Sequence, residues 1–299
     1  MTKKILIHAI WAASVLSGGV CAQTLQDKIY FSYGLLPATS LKEGVGESRL
    51  AHQYELQVGP PPIRLIPRLQ WIHTFYGRVA EYNFNNLDSE VATASSVLYD
   101  IQYGTIYIYD FKNPKWSLFA SPRILFRSDL ENLFTGNSLF FSGIALANYN
   151  PDGNDRLVWS FGFAFANDFN RNVLIPIAGF TYTDKRYTIE VAYPRVNFLY
   201  KPTSHIEWGA TASIIGGIYR TNEVTLRSQQ TAPYTRTINV QLGHTFNYLL
   251  TSKVVLNSCI GYAFVRNYDL MNSDFKSIQS INLDLKGSFF LRTGISVRL

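Results

Sequence analysis

His244 and Ser258 have the side chains for nucleophilic catalysis, an imidazole base and a hydroxyl nucleophile. Both fall on the apolar side of alternating segments, Ile238–Tyr248 and Val254–Phe264. Pairing Tyr248 with Val254 sets His244 beside Ser258. A Ser–His pair on a greasy surface would serve a membrane-embedded lipid hydrolase. No third group on that face orients the imidazole, however, and Gly243-His244-Thr245-Phe246 lacks the polar surroundings of such an enzyme. His52 and His73 also share outer faces of neighbouring segments, without the carboxylate or Cys partners of a metal site. A tolerated amphipathic residue near an interface is the simpler account of each. There is no phosphate-binding loop and no zinc-type Cys/His spacing. No catalytic residue, cofactor or metal is expected.

A second set of residues carries charge. Glu55, Asp100, Glu190, Glu207 and Asp284 alternate with apolar neighbours, as do Arg64, Arg68, Arg78, Arg123, Arg127, Lys286 and Arg292. On the inner wall of a tube they would form cross-strand ion pairs that stiffen it. An excess of Arg would also make a selectivity lining that favours anionic solutes. The two roles are compatible.

What must position these residues is a set of strands. From Ile281 to Leu299 nearly every odd residue is apolar and most even ones are polar or small, Phe290 excepted. Period-two alternation is the mark of a strand with one greasy and one wet face. The same pattern recurs in Ile29–Leu35, Leu50–Val58, Leu65–Val79, Val97–Tyr109, Trp116–Arg127 and, more weakly, Leu139–Ala147. Leu157–Ala166 shows it most clearly, with Trp159, Phe161, Phe163 and Phe165 on one side. Turns punctuate the runs at Pro60-Pro61-Pro62, Lys112-Asn113-Pro114, Asn150-Pro151-Asp152-Gly153 and Asp184-Lys185-Arg186. The spacing predicts about twelve to fourteen strands, an even number being usual for single-chain outer-membrane barrels. Fourteen follows if Tyr187–Tyr193 and Arg195–Tyr200 are separate and the terminal run is one strand. Long polar loops at 221–233 and 269–280 then share one end.

Composition agrees. The chain has 19 Tyr, 20 Phe and 5 Trp, and is 47% hydrophobic. No helical amphipathic segment stands out, which excludes a layered α/β fold. A soluble sandwich would have strands of roughly 5–6 residues, shorter than several here. Lys3 and Lys4, the apolar run Ile5–Val15 and Val20-Cys21-Ala22 read as a signal peptide cleaved after Ala22. The expected mature domain is 23–299, in which Cys259 is the one cysteine, so no intrachain disulfide forms. A net charge of +6, spread along the chain, gives no footprint for nucleic acid.

Several tracts resemble a family of uncharacterised outer-membrane β-barrel proteins of Bacteroidota-type bacteria. They are Ile175–Tyr182, the break Tyr193-Pro194-Arg195 with Leu199-Tyr200, the segment Gly216–Arg220 and the closing Phe289–Ser296. The signal ending in Cys21-Ala22-Gln23 adds to the likeness. The chain departs from the usual barrel terminus, Phe or Trp, by ending in Leu299. The resemblance implies a membrane barrel and carries over no catalytic residue.

The sequence thus points to an all-β, single up-and-down barrel of the bacterial outer membrane, in contact with lipid. A porin-like passive channel or transporter for small polar or anionic solutes leads. A non-conducting structural or adhesive barrel, binding a partner through its loops, is the alternative. The lipid hydrolase of Ser258 and His244 is third.

Overall fold

The alternating runs join edge to edge into a ring. A computed structural model describes residues 27–42, 46–48, 51–85, 96–129, 131, 134–154, 156–166, 173–192, 194–225, 231–278 and 283–298. The signal-peptide segment 1–22 lies outside them. The wall strands are β1 (Asp27–Leu36), β2 (Ala51–Val58), β3 (Leu69–Tyr82), β4 (Ser96–Asp110), β5 (Trp116–Ser128), β6 (Leu139–Tyr149) and β7 (Leu157–Ala166). They continue as β8 (Val173–Thr183), β9 (Tyr187–Ala192), β10 (Arg195–Tyr200), β11 (Ile206–Thr225), β12 (Thr231–Leu249), β13 (Val254–Met271) and β14 (Ser288–Arg298). Each pairs antiparallel with the next, and β14 returns to β1, with Phe31 opposite Ile295. The result is a closed, 14-stranded barrel. Closure removes the unpaired edges that hydrocarbon would not tolerate.

The two faces separate as the alternation requires. Outward, Phe161 is 49% exposed, Phe163 53%, Trp208 51% and Ile260 58%. Inward, Glu55 is 1% exposed and Asp100 2%. An apolar band right round the outside is the mark of a barrel that sits in a membrane. Trp116, Tyr149, Trp159, Tyr187, Tyr200 and Tyr248 gather at the end where the turns are short. Trp116 and Tyr149 pack there at 4.7 Å. This is the aromatic girdle of a bilayer interface. Short turns lie on the periplasmic side in barrels of this kind. Thr251 closes one of them, its Oγ1 accepting from the Lys253 and Val254 amides.

Three expectations need correction. The terminal run is not one strand from Ile281: β14 begins at Ser288. Leu283 and Leu285, on the alternating pattern, are buried inside the barrel mouth instead of facing lipid. The loop at 221–233 is shorter than its polarity implied. β11 runs to Thr225 and β12 starts at Thr231, with Val224 opposite Ala232. Likewise β13 extends to Met271, into the loop expected at 269–280. These extensions stand clear of the apolar belt, so their strand positions carry Thr and Arg where lipid would demand apolar residues.

Beyond the short hairpin β9–β10, the upper part of β11 swings in. Arg220 bridges Ser128 of β5 in a parallel contact. Ile218, Tyr234 and Met271 pack with Leu125 and Phe140 of β5 and β6. The tops of β11–β13 therefore narrow the long-loop mouth from one side.

Candidate functional site: the lumen and its two mouths

The inward residues form a filled, stratified interior. Asp100 on β4 is the hub of the upper layer. It lies 3.0 Å from Arg127 Nε and 3.7 Å from Arg78 Nη2, and its Oδ1 accepts from Gln102 at 2.9 Å. Arg78 also donates to the Tyr219 hydroxyl across the lumen on β11. Glu55 lies on the neighbouring strand, register partner of Arg78, and accepts a 3.5 Å bond from Ser32. Two glycines make room for this cluster. A Cβ at Gly217 would stand 2.7 Å from the Arg127 guanidinium, and one at Gly104 would stand 2.9 Å from the Arg123 side chain. Buried Arg side chains are tolerable only with such charge and hydrogen-bond partners.

The expected lining residues divide. Glu55, Arg78, Asp100, Arg123, Arg127, Glu190, Glu207 and Arg292 are buried on the inner face. Glu190 accepts from Asn197 at 2.9 Å and lies 3.8 Å from Arg195. Arg64 and Arg68 are not in the lumen. They are exposed in a small hairpin, Ile63–Ile66 against the start of β3, below the barrel wall. Pro60–Pro62 and Pro67 end the wall strand early, so its alternation cannot be carried through. Asp284 and Lys286 stay in the wall ladder, but the inward face switches from even to odd positions between Ser288 and Leu285, which turns both away from the lumen. Both lie in the segment before β14, where Asp284 meets Lys42 at 3.4 Å and Lys286 is exposed. Nor is the interior uniformly polar. Ile72, Ile106, Ile108, Phe119, Ile144, Leu146, Ala164, Ile177 and Ala192 form one apolar layer across β3–β9.

At the long-loop end the segment before β14 continues the wall, in the registers that β14 keeps with β1 and β13. Its Leu285 bridges both Leu41 and Arg266 of β13. Leu41, Ile278, Leu283 and Leu285 are buried with Tyr268 and Leu270 of β13, and Tyr82 and Phe84 pack on them.

At the short-turn mouth Glu207 gathers charge. Arg298 binds it through both terminal nitrogens, each at 2.9 Å, Lys201 Nζ lies at 3.1 Å and Asn247 donates at 3.1 Å. Arg298 is legible as a wet position of the terminal run. Lys185, Arg186, Lys201 and Lys253 are not, because turn residues carry no face periodicity. Just outside, Arg156 donates to the Tyr182 hydroxyl and to Asp184, which together raise its guanidinium pKa above the ordinary value.

His52 Nδ1 bonds the Tyr33 hydroxyl at 2.7 Å and His73 Nδ1 bonds that of Tyr103 at 2.8 Å. Among the described residues no cluster of three metal-ligating side chains occurs. The register of β12 and β13 differs from that expected. Tyr248 faces Leu256, because Leu249–Val255 and a Leu250–Val254 hydrogen bond tighten the turn. His244 is therefore opposite Ile260, and Ser258 opposite Phe246. The two are diagonal neighbours on the outer face.

A family model described as a domain of unknown function, DUF6268, matches residues 69–298. The chain belongs to this family. Among curated proteins no sequence matches it. Solved structures similar to this DUF6268 barrel include an outer-membrane channel from Pseudomonas putida F1, at 12% identity and TM-score 0.43, over 94% of this chain and 97% of that one. The NanC porin is similar at 9% identity and TM-score 0.38, over 91% and 100% of the two chains. Outer membrane phospholipase A from Escherichia coli is similar at 9% identity and TM-score 0.37, over 100% and 98%.

Proposed function

We propose that this protein is a narrow passive channel of the outer membrane for small polar solutes, closed at its long-loop mouth in this conformation. One observation carries the reading. Ser121 Oγ, Ser213 Oγ, Thr245 Oγ1 and both polar atoms of the Gln241 amide are buried on the inner face with no protein partner. A dry interior would cost about 1–3 kcal/mol for each such group. Water reaches such groups only when the packed interior loosens, and a wall that takes in water in that state is a path for solutes of similar size. The inward apolar cluster of Leu41, Leu270 and Leu285 on the wall constricts that path at the long-loop end, as hydrophobic constrictions do in gated pores.

Planar-bilayer conductance of the refolded protein tests this. The wild type is expected to show rare, small openings. Leu285→Asp, which places a charge in that apolar cluster, is expected to raise open probability at least about tenfold, the usual scale when a few kcal/mol of closure is lost. If both insert, shown by heat-modifiable migration, and neither ever conducts, the channel reading falls and a structural barrel remains.

A further inference from the structure

We infer that the periplasmic mouth holds a binding site for phosphate-bearing anions. A cavity of about 670 Å³ opens among the turns at the short-turn end, lined by Lys185, Arg186, Lys201, Lys253 and Arg298. Its volume falls in the range of small-molecule sites, about 300–1,000 Å³. Five cations face one acid, Glu207, which is already held by Arg298, Lys201 and Asn247. Glu207 thus fixes the floor and leaves the rim uncompensated. The nearby Asp184 is engaged by Arg156 at 3.2 Å. Among the described residues, no carboxylate pairs with Lys185, Arg186 or Lys253.

The rim is also built to hold its shape. The Lys201 amide donates to the Arg186 carbonyl at 2.7 Å, that of Arg298 to the Lys253 carbonyl at 2.7 Å, and that of Leu249 to the His205 carbonyl at 2.8 Å. These bonds tie three turns and the end of β14 into one frame. Lys and Arg on a rigid frame are held close together against their own repulsion. A multiply charged anion relieves that repulsion and accepts several charge-assisted hydrogen bonds at once. Glu207 and Arg298 point inward while Trp208 beside them faces lipid. The cavity therefore lies among the turns on the inner side of the wall, away from the face that carries Trp208, which favours a soluble phosphate ester over a lipid headgroup. Binding does not depend on the lumen conducting.

Titration calorimetry of the refolded barrel in a zwitterionic detergent, with inorganic pyrophosphate as the probe, tests the site. Lys185→Gln with Lys253→Gln is expected to weaken binding at least about tenfold, the loss of two charge-assisted hydrogen bonds. Lys112→Gln with Lys115→Gln, in another turn at the same end, is expected to leave it unchanged. Both pairs are exposed turn residues, and heat-modifiable migration checks that each variant folds. Repeating the titration in phosphatidylcholine bilayers, with and without phosphatidylglycerol, separates the sources. Affinity that drops only with the anionic lipid means that a headgroup phosphate fills the site. Affinity that holds means a soluble ligand. Absence of binding, or equal binding by the two double variants, overturns the inference.

Discussion

Asp100 is the residue on which the inner charge cluster depends. It is 2% exposed, and two buried guanidiniums converge on it. Replacing it by Asn keeps the shape and removes the charge, leaving Arg78 and Arg127 without their shared counter-ion. Breaking a buried pair from one side costs about 3–5 kcal/mol. Asp100→Asn is expected to lower the denaturant midpoint in micelles by an amount of that order. Gly217→Val tests the same cluster sterically, since a side chain there would strike the Arg127 guanidinium. It is expected to destabilise comparably, while Gly77→Ala, where nothing stands within 4 Å, is expected to change little. Ser258 carries a different expectation. Its register partner is Phe246 and not His244, so Ser258→Ala is expected to leave phospholipid turnover by the refolded protein at the wild-type level. A variant that loses turnover present in the wild type would restore the hydrolase.

At the scale of elements, the proposed channel makes the segment before β14 its gate. Leu41 and Leu285 are bridge partners, with Lys42 donating to the Asp284 carbonyl and Lys286 to that of Ser40 on either side. That flanking pattern marks a non-hydrogen-bonded pair, with Cα atoms about 4.5 Å apart, close enough for a disulfide. Leu41→Cys with Leu285→Cys, in a Cys259→Ser background, is expected to abolish openings when oxidised and to restore them on reduction. Conductance unaffected by reductant would mean that this segment is not the gate. Here the sequence was legible as strands and opaque as topology. The apolar–polar alternation of Ile281–Lys286 is real, but it reports burial on one side only. A strand whose facing residues switch parity at an irregularity, as here between Leu285 and Ser288 and in β13 after Ala263, keeps the same period while its apolar side turns from lipid to the interior. The long polar stretch at 221–233 misleads in the opposite sense, because a strand outside the belt needs no apolar face. The tracts that meet lipid, such as Trp159–Phe165, are the ones that period two places without ambiguity.

The whole molecule poses the reverse of a soluble protein's problem: its charge is inside and its grease is outside. Charges are therefore hard to assign from sequence, since alternation separates two faces but does not say which strands meet across the lumen. Arg78 reaching Tyr219, 141 positions away, is such a contact. The outer face needs no partner, and so its energetics follow from depth alone. Phe161 sits at the middle of β7, 49% exposed, and Trp159 lies nearer the aromatic girdle at the short-turn end, 40% exposed. If this surface meets hydrocarbon, Phe161→Arg costs about 2–4 kcal/mol and Trp159→Arg only about 0–1 kcal/mol from the lost interfacial depth, plus a similar packing loss for each ring. Equilibrium unfolding from phosphatidylcholine vesicles measures both. A barrel that lived in water would give the opposite order of concern: an Arg in place of an exposed Phe is neutral there, whatever its height along the strand. A cost that rises toward the middle of β7 is the signature of a bilayer around this wall, and equal, small costs at both positions would place the barrel outside the membrane.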